Sequence, residues 1–258
     1  MVGPEILALD FDGVLCDGMR EYFDSAWRVY RRLRPALPPE PPAGLFERFA
    51  RLRPLVETGW EMPVLIHALC ARAPATELAR DWRPEAWLAD LGRARDAVGA
   101  ELDQVRDAWL AEDEAGWLAS HRFYPGVIER LLALAAEPVR VFVLTTKEGR
   151  FARKLLERQG VALTPAQVYG KEARRPKRVI LGELIAGGDP TRLWFVEDRI
   201  RTLEDVKREP LLDGAGLFLA GWGYTTREDR AAARHDDRIV LLSLDRFCGA
   251  FPRWRAED

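Results

Sequence analysis

The chain opens with a short apolar strand that delivers two aspartates into a glycine turn. The apolar stretch covers Ile6–Leu9, and Asp10, Asp12 and Gly13 follow it. Side chains on a strand alternate between its two faces, so residues two positions apart point the same way. We therefore expect both aspartates on one side at the carboxyl end of the strand. Paired carboxylates there repel each other and need a counter-charge, most simply a divalent cation.

The local sequence leaves two interpretations of this pair open. In the first, one carboxylate attacks phosphorus while the other handles the proton of the leaving group. In the second, the run is an ordinary turn, because Asp and Gly are common turn residues. Matching residues further along the chain favour the first interpretation.

Composition limits the class of protein. With 258 residues, 48% hydrophobic and 31% charged, the chain is typical of a soluble globular protein with a large core. A net charge of −2 argues against a dedicated binder of nucleic acid or anionic membrane. We therefore expect neither a nucleic-acid partner nor a membrane partner.

The cysteines and the N-terminus bear on the compartment. Cys16, Cys70 and Cys248 are scattered and lack CxxC spacing, which predicts a reducing compartment and no zinc site. No basic region followed by an apolar stretch opens the chain, and no apolar run approaches the roughly 18–20 residues of a spanning helix. These features predict a cytoplasmic protein.

The chain has two compositional zones. From about residue 17 to 122, apolar residues recur at helical spacing, and a proline-rich loop over 35–42 interrupts them. The helices expected in this zone cover 21–34 and 45–52, begin near Val64 and at Pro84, and cover 101–119. From residue 125 onward, apolar strands alternate with helices at about 148–159, 177–186 and 200–208. The strands expected there are 139–144, 167–169, 193–196, 216–220 and 239–242.

This alternation is typical of βαβ units on a parallel sheet. Ile6–Leu9 has no partner before the helical zone, so we expect it to join that sheet. The predicted fold is α/β, a doubly wound, Rossmann-like parallel sheet with an inserted all-α domain. The α/β core is expected over 1–15 and 123–258, and the insertion over 16–122.

Polar residues follow the predicted strands at their carboxyl ends, where ligands bind in open α/β sheets. Thr145, Thr146 and Lys147 follow one strand, and Glu197 with Asp198 follows another. Between them, Lys177 stands at the predicted start of a helix. With the first strand, these elements deliver a carboxylate nucleophile, a hydroxyl, a cation and an acidic pair.

In this order, the residues resemble the four motifs of the haloacid dehalogenase superfamily. The matching pieces are DFDGV after the first strand, LTT ending the second, a downstream lysine, and FVED. The resemblance covers residues 1–15 and about 123–250, and the helical zone lies where the superfamily places its C1-type cap. It points to the phosphoglycolate phosphatase-like members, and so to a Rossmann-like core with a cap.

The resemblance implies a role for each residue. Asp10 would attack phosphorus, Asp12 would act as general acid and then base, Thr145 would hold a phosphoryl oxygen, and Lys177 would neutralise charge. Mg²⁺ would bind Asp10, the main-chain carbonyl of Asp12 and Asp198, with Glu197 as a further metal-site candidate. Thr146 and Lys147 are candidates for substrate contact.

Two assignments stay open from the sequence. Lys171 competes with Lys177, which we favour because it follows Pro176 and opens a helix. Many relatives carry a second carboxylate four residues beyond the metal-binding aspartate, but Thr202 stands there. The supporting role of that second carboxylate is then expected of Glu197, Glu204 or Asp205.

The resemblance also separates the branches of the superfamily. Dehalogenases lack an aspartate at the position of Asp12, and phosphonate-cleaving relatives need a cap lysine, whereas residues 17–122 contain none. We therefore expect a Mg²⁺-dependent phosphatase of a small phosphorylated metabolite. The alternatives are a β-phosphoglucomutase-like phosphomutase and a non-catalytic binding protein. Arg20, Trp60 and Glu61 are the candidate substrate contacts of the cap.

Overall fold

The structure, a computed structural model, describes residues 3–255. The chain divides into two compact units. The α/β unit comprises the described residues up to Asp17 together with those from Phe123 onward, and the helical unit is Gly18–Arg122.

The strands of the described chain are β1 Ile6–Leu9, β2 Cys16–Asp17, β3 Arg122–Phe123, β4 Arg140–Leu144, β5 Val168–Tyr169, β6 Leu193–Glu197, β7 Gly216–Ala220 and β8 Ile239–Leu242. Six of them form one sheet in the order β5-β4-β1-β6-β7-β8, and every pairing in it is parallel. The predicted α/β fold with a parallel sheet is therefore confirmed. The expectation that Ile6–Leu9 joins the sheet is confirmed as well, since it lies between β4 and β6.

The α-helices are α1 Met19–Leu33, α2 Leu45–Leu52, α3 Glu61–Cys70, α4 Ala75–Arg80, α5 Pro84–Leu91, α6 Arg95–Glu112, α7 Glu114–Ala119, α8 Val127–Leu134, α9 Gly149–Arg158, α10 Lys177–Ile185, α11 Ile200–Lys207, α12 Arg227–Arg234 and α13 Leu244–Cys248. Short 3₁₀ turns cover Arg53–Leu55, Pro165–Gln167, Lys171–Ala173, Pro190–Arg192, Pro210–Leu212 and Phe251–Arg255. Among residues 3–255, no helix is both long and apolar enough to cross a membrane.

The sheet is the core of the α/β unit. Strands β1, β6 and β7 are buried along their whole length, as continuous apolar runs covered on both faces require. Leu9 is paired with Val143 of β4 and with Val196 of β6. The carboxyl ends of β1, β4 and β6 therefore lie side by side, and the polar residues that follow these strands share one edge of the sheet.

The helical unit packs around α1, whose apolar stripe is buried. Phe23 of α1 contacts Phe49 of α2 with ring centroids 5.6 Å apart. The expected single helix over 101–119 is wrong, because α6 ends at Glu112 and α7 begins at Glu114. Asp113 separates them, and its side chain accepts a hydrogen bond from the amide of Gly116, which starts a new helix by capping it.

Candidate active site

Asp10 follows β1 directly and is buried. Its Oδ1 accepts hydrogen bonds from the amide of Phe11 at 2.8 Å and from Nζ of Lys177 at 2.9 Å. The main-chain amide of Asp10 donates to the carbonyl of Val196, which continues the pairing with β6. The carboxylate is therefore held at the centre of the sheet edge.

Lys177 opens α10 and bridges two carboxylates. Its Nζ lies 2.9 Å from Asp10 Oδ1 and 2.7 Å from Glu197 Oε2. The other oxygen of Glu197 accepts the main-chain amides of Asp198 and Arg199, both at 3.1 Å. Glu197 is thus occupied on both oxygens, and it fixes the lysine beside Asp10.

Asp198 follows β6 and lies in a tightly packed place. Its Oδ2 accepts the main-chain amide of Tyr224 at 2.8 Å. A Cβ on Gly13 would lie 1.9 Å from this same oxygen, and Gly13 has a φ of +87°. Only glycine at position 13 allows this approach, because a side chain would both strain the backbone and collide with the carboxylate.

Asp12 lies beside a second buried lysine. Nζ of Lys147 is 3.6 Å from Asp12 Oδ1, and the Lys147 side chain is 2% exposed. Within residues 3–255, this buried oxygen has no hydrogen-bond partner. The ammonium group of Lys147 is therefore the cationic neighbour described for this oxygen.

Thr145 forms the turn after β4. Its Oγ1 accepts the main-chain amide of Lys147 at 3.0 Å, and its own amide donates to the carbonyl of Tyr169 at 2.8 Å. A hydroxyl that accepts one bond still carries a proton to donate. Thr145 is buried and its neighbour Thr146 is exposed, so the two hydroxyls differ in surroundings.

The charges at the site shift the acidity of its groups. Burial, with the neighbouring charge of Glu197, raises the pKa of Asp10 to about 8 against the lowering effect of Lys177. Burial also raises the pKa of Glu197 above its ordinary value. Although burial lowers it, the pKa of Lys177 is raised on balance by Asp10 and Glu197, so the lysine stays protonated.

The residues fit a divalent cation. One oxygen each from Asp10, Glu197 and Asp198 lies within 4.8 Å of the others, and all three residues are buried. Asp12 adds a fourth carboxylate nearby, and the ammonium groups of Lys147 and Lys177 pair with Asp12, Asp10 and Glu197. Carboxylate oxygens are the donors that suit a hard cation. Asp10 and Asp198 are the better candidates to hold it, since Glu197 is already engaged on both oxygens.

The side chains of two competing residues have other partners. Lys171 is 40% exposed in its side chain and pairs with Glu148, whose carboxylate is 3.4 Å away. Asp205 pairs with Arg208 on the surface of α11. The geometry thus favours Lys177 over Lys171, and Glu197 over Asp205.

Arg20, Trp60 and Glu61 belong to the helical unit. Arg20 is 62% exposed in its side chain and pairs with Asp24 at 2.8 Å. The guanidinium of Arg95 covers the ring of Trp60 at 4.9 Å.

Glu61 is buried and is bonded on both oxygens within the helical unit. Its Oε1 accepts from the amide and hydroxyl of Thr58, each at 2.8 Å, and its Oε2 accepts Nε1 of Trp82 at 3.0 Å. Glu61 therefore forms hydrogen bonds within its own segment, residues 57–61.

The sequence does not predict the contacts of Tyr224 at the α/β site. Tyr224 contributes its amide to Asp198, and its hydroxyl donates to Asp17 Oδ1 at 2.7 Å. The run Gly221-Trp222-Gly223-Tyr224 signals a close approach of backbone, but nothing local points to a partner 207 positions away.

Comparison with known families identifies the class of protein. The family model of the haloacid dehalogenase-like hydrolases matches residues 4–204, which is more than half of the chain. The chain belongs to this family, so the resemblance seen in its motifs and the expectation of a hydrolase are confirmed. No curated protein sequence matches the chain significantly.

Solved structures share the fold at low identity. A predicted phosphatase from Clostridium acetobutylicum is 13% identical, with 96% of this chain and 97% of that chain covered and a TM-score of 0.60. A predicted phosphoglycolate phosphatase from Haemophilus somnus is 15% identical, with 93% and 95% covered and a TM-score of 0.57. Protein tyrosine kinase A of Mycobacterium tuberculosis is 16% identical, with 99% and 98% covered and a TM-score of 0.54. A fold shared by proteins of such different descriptions does not by itself fix the reaction.

Proposed function

We propose that the protein is a Mg²⁺-dependent phosphatase that hydrolyses a small phosphorylated metabolite through an aspartyl-phosphate. The observation that carries this proposal is the bridge formed by Lys177 between Asp10 and Glu197, with Asp198 beside it. A buried carboxylate with a fixed ammonium group and a metal-binding neighbour is the arrangement that an anionic nucleophile needs against an anionic substrate.

In the first step, Asp10 attacks phosphorus and the bond from phosphorus to the ester oxygen breaks. Both contacts described for Asp10 fall on Oδ1, so we assign the attack to Oδ2. Asp12 gives its proton to the departing alkoxide. The hydroxyl of Thr145 and the ammonium group of Lys177 bind the phosphoryl oxygens as their charge grows.

In the second step, water attacks the phosphorus of the aspartyl-phosphate. Asp12, now ionised, takes a proton from this water, and the bond from phosphorus to the Asp10 oxygen breaks. Phosphate leaves, Asp10 returns as a carboxylate, and Asp12 is protonated again, so each group ends in its starting state.

Asp10, Asp198 and the main-chain carbonyl of Asp12 are the proposed metal ligands. Bound Mg²⁺ would supply the positive charge that lets two anions approach each other. We assign Glu197 to holding Lys177, since both of its oxygens are already bonded.

The helical unit, Gly18–Arg122, is proposed to act as the cap that selects the substrate. The catalytic residues would then all lie at the strand ends of the α/β unit. The scattered cysteines and the small net charge support a cytoplasmic protein that acts on a small metabolite rather than on nucleic acid or membrane.

The test compares wild type with Asp10→Asn in p-nitrophenyl phosphate hydrolysis, with and without Mg²⁺. Asparagine is nearly isosteric but is a poor nucleophile, so we expect a loss of roughly 10²-fold or more. Asp213→Asn is the matched control, because Asp213 is 81% exposed and pairs only at the surface with Arg238. Beryllium fluoride should trap on the Asp10 carboxylate in a crystal.

Three results would contradict the proposal. Activity of Asp10→Asn within about ten-fold of wild type would remove the covalent mechanism. Trapping on Thr145 or Cys16 would point to another nucleophile. Equal turnover in the presence of a chelator would remove the metal requirement.

A further inference from the structure

The loop after β7 touches the turn that carries Asp12 at separate points. Nε1 of Trp222 donates to the carbonyl of Val14 at 3.0 Å. The hydroxyl of Tyr224 donates to Asp17 Oδ1 at 2.7 Å, and its amide donates to Asp198 Oδ2 at 2.8 Å. One short loop thus contacts both a proposed metal ligand and the segment 13–17.

The backbones in this place are in close contact. A Cβ on Gly223 would lie 2.3 Å from the carbonyl oxygen of Gly13 and 2.5 Å from Cβ of Asp198. Real side chains do not approach backbone so closely, so the loop sits where only glycine fits. Both neighbours therefore constrain the position of the loop.

The turn that the loop contacts is held by its own main-chain hydrogen bonds. The amides of Leu15 and Cys16 both donate to the carbonyl of Phe11, and the amide of Gly13 donates to the carbonyl of Cys16. Asp12 lies inside this turn, and Asp17 is the last residue of the α/β unit before the helical unit begins in the chain. A bond at Asp17 therefore holds the far end of the turn that orients Asp12.

We propose that Tyr224 is a positioning residue that ties Asp198 to Asp17 and so fixes the turn carrying Asp12. Its main-chain amide donates to Asp198 and its hydroxyl donates to Asp17, and the side chain between these two groups is buried. The proposal rests on the proposed function for its kinetic consequence, but its structural consequence is independent of it.

Tyr224→Phe is the clean variant. It keeps the ring and the main-chain amide to Asp198 and removes the hydroxyl that donates to Asp17. Tyr30→Phe is the matched control, since it also removes a buried phenol contact, that with His67 Nδ1 at 3.3 Å, but in the helical unit. Both variants should fold, because neither leaves a cavity larger than one oxygen atom.

Hydrogen exchange of the metal-free protein is the first measurement. In Tyr224→Phe, the amides of Gly13, Leu15 and Cys16 should exchange roughly ten-fold faster, the factor that a hydrogen bond to a charged group commonly supplies. In Tyr30→Phe they should exchange as in wild type. Unchanged exchange in Tyr224→Phe would overturn the proposal.

Kinetics supply the second measurement. For an alkyl phosphate, Tyr224→Phe should lower kcat roughly ten-fold and leave KM within about two-fold, because the bond orients reacting groups without binding substrate. Combined with Asp17→Ala, it should cost no more than Asp17→Ala alone, since both variants remove the bond between the Tyr224 hydroxyl and Asp17. Additive losses, or a lower melting temperature with unchanged kcat, would show that Tyr224 is merely structural.

The two failures are distinguishable. If wild type hydrolyses no phosphate ester, the proposed function fails, and the exchange rates still decide whether Tyr224 holds the turn. If wild type is active and Tyr224→Phe matches it in both exchange and kcat, the positioning role fails alone.

Discussion

Nζ of Lys177 lies 2.9 Å from Oδ1 of Asp10, and this contact is the only ammonium-to-carboxylate pairing described for the proposed nucleophile in residues 3–255. The lysine reaches it because α10 begins at Lys177, and Glu197 holds the same ammonium group from the neighbouring strand end at 2.7 Å. These contacts join residues from three elements, and one ammonium group compensates the charge of two buried carboxylates.

Lys177→Met should therefore harm both activity and stability. The phosphoryl oxygens lose their fixed cation, so we expect kcat to fall roughly 10²-fold or more. Asp10 and Glu197 are left buried without their partner, which should lower the free energy of unfolding by up to about 3–5 kcal/mol. Steady-state kinetics and urea denaturation measure the two effects.

Lys171→Met is the matched control for Lys177→Met. Lys171 pairs with Glu148 near the surface, and exposed pairs of this kind contribute about 0–1 kcal/mol. If Lys171→Met were the damaging variant and Lys177→Met were active, the assignment of the catalytic lysine would have to be reversed.

The raised pKa values predict the pH dependence of the metal-free protein. Asp10, with an ordinary pKa of 3.8, has a pKa raised to about 8, and that of Glu197 is raised too. The folded chain then binds more protons than the unfolded chain over this range, so the free energy of unfolding should fall as pH rises from about 4 to 8. Lys177 adds no slope there, because the stability it contributes is present at all pH values below its ordinary pKa of 10.5.

Denaturation of metal-free protein at pH 5 and pH 8 measures this slope. Asp10→Asn should flatten it, because the amide does not titrate. Saturating Mg²⁺ should flatten it as well, since a bound cation stabilises the ionised carboxylates. A metal-free wild type that gains stability between pH 5 and pH 8 would contradict the assignment of Asp10 as a buried acid.

The sequence predicts the sheet well and the short helices poorly. Continuous apolar runs predict β1, β7 and β8 with the ends that the structure has. For β1 and β7 the reason is that a strand buried on both faces leaves an unbroken apolar signal. The apolar pattern does not predict helix α12, although Thr226 and Asp229 form a capping box at its start. Its buried face contributes only Ala233, so periodicity gives little indication of it.

For the site, the sequence predicts which residues gather but not how they pair. Strand order places Asp10, Thr145 and Asp198 together, because the carboxyl ends of adjacent parallel strands share an edge. The bridge from Lys177 to Glu197 and the contact of Lys147 with Asp12 depend on side-chain directions within loops. No periodicity in the sequence encodes those directions.

Asp12→Ala should separate two kinds of substrate. An alkyl phosphate needs a proton on its leaving oxygen, whereas p-nitrophenolate departs without one. We expect a loss of roughly 10²–10⁴-fold on an alkyl ester and a much smaller loss on p-nitrophenyl phosphate. Comparing kcat/KM for the two esters measures it, and equal losses on both would remove Asp12 from the acid role.

Glu61→Ala should act mainly on the stability of the helical unit. Its buried carboxylate accepts bonds from Thr58 and Trp82, and losing hydrogen bonds to a charged group should cost about 1.5–3 kcal/mol. The control is Glu77→Ala, an exposed position on α4. Thermal unfolding measures the difference.

The substrate role of Glu61 is tested in the same variant. If segment 57–61 selects the substrate, Glu61→Ala should raise KM for the natural metabolite and leave p-nitrophenyl phosphate hydrolysis largely unchanged. Parallel losses on both substrates would instead identify the segment as a purely structural turn of the helical unit.

Gly13→Ala should abolish metal binding at the proposed site through a single methyl group. The new Cβ would lie 1.9 Å from Asp198 Oδ2, so either the turn or the carboxylate must move. Gly160→Ala is the matched control, because Gly160 has a similar φ of +81° but no heavy atom within 4 Å of a Cβ. Both variants carry the same backbone strain, of order 1–3 kcal/mol, and differ only in the collision.

Titration of metal-free protein with Mg²⁺ by calorimetry should show binding in Gly160→Ala and none in Gly13→Ala. Equal Mg²⁺ affinity in the two variants would mean that Asp198 does not hold the cation from the position described.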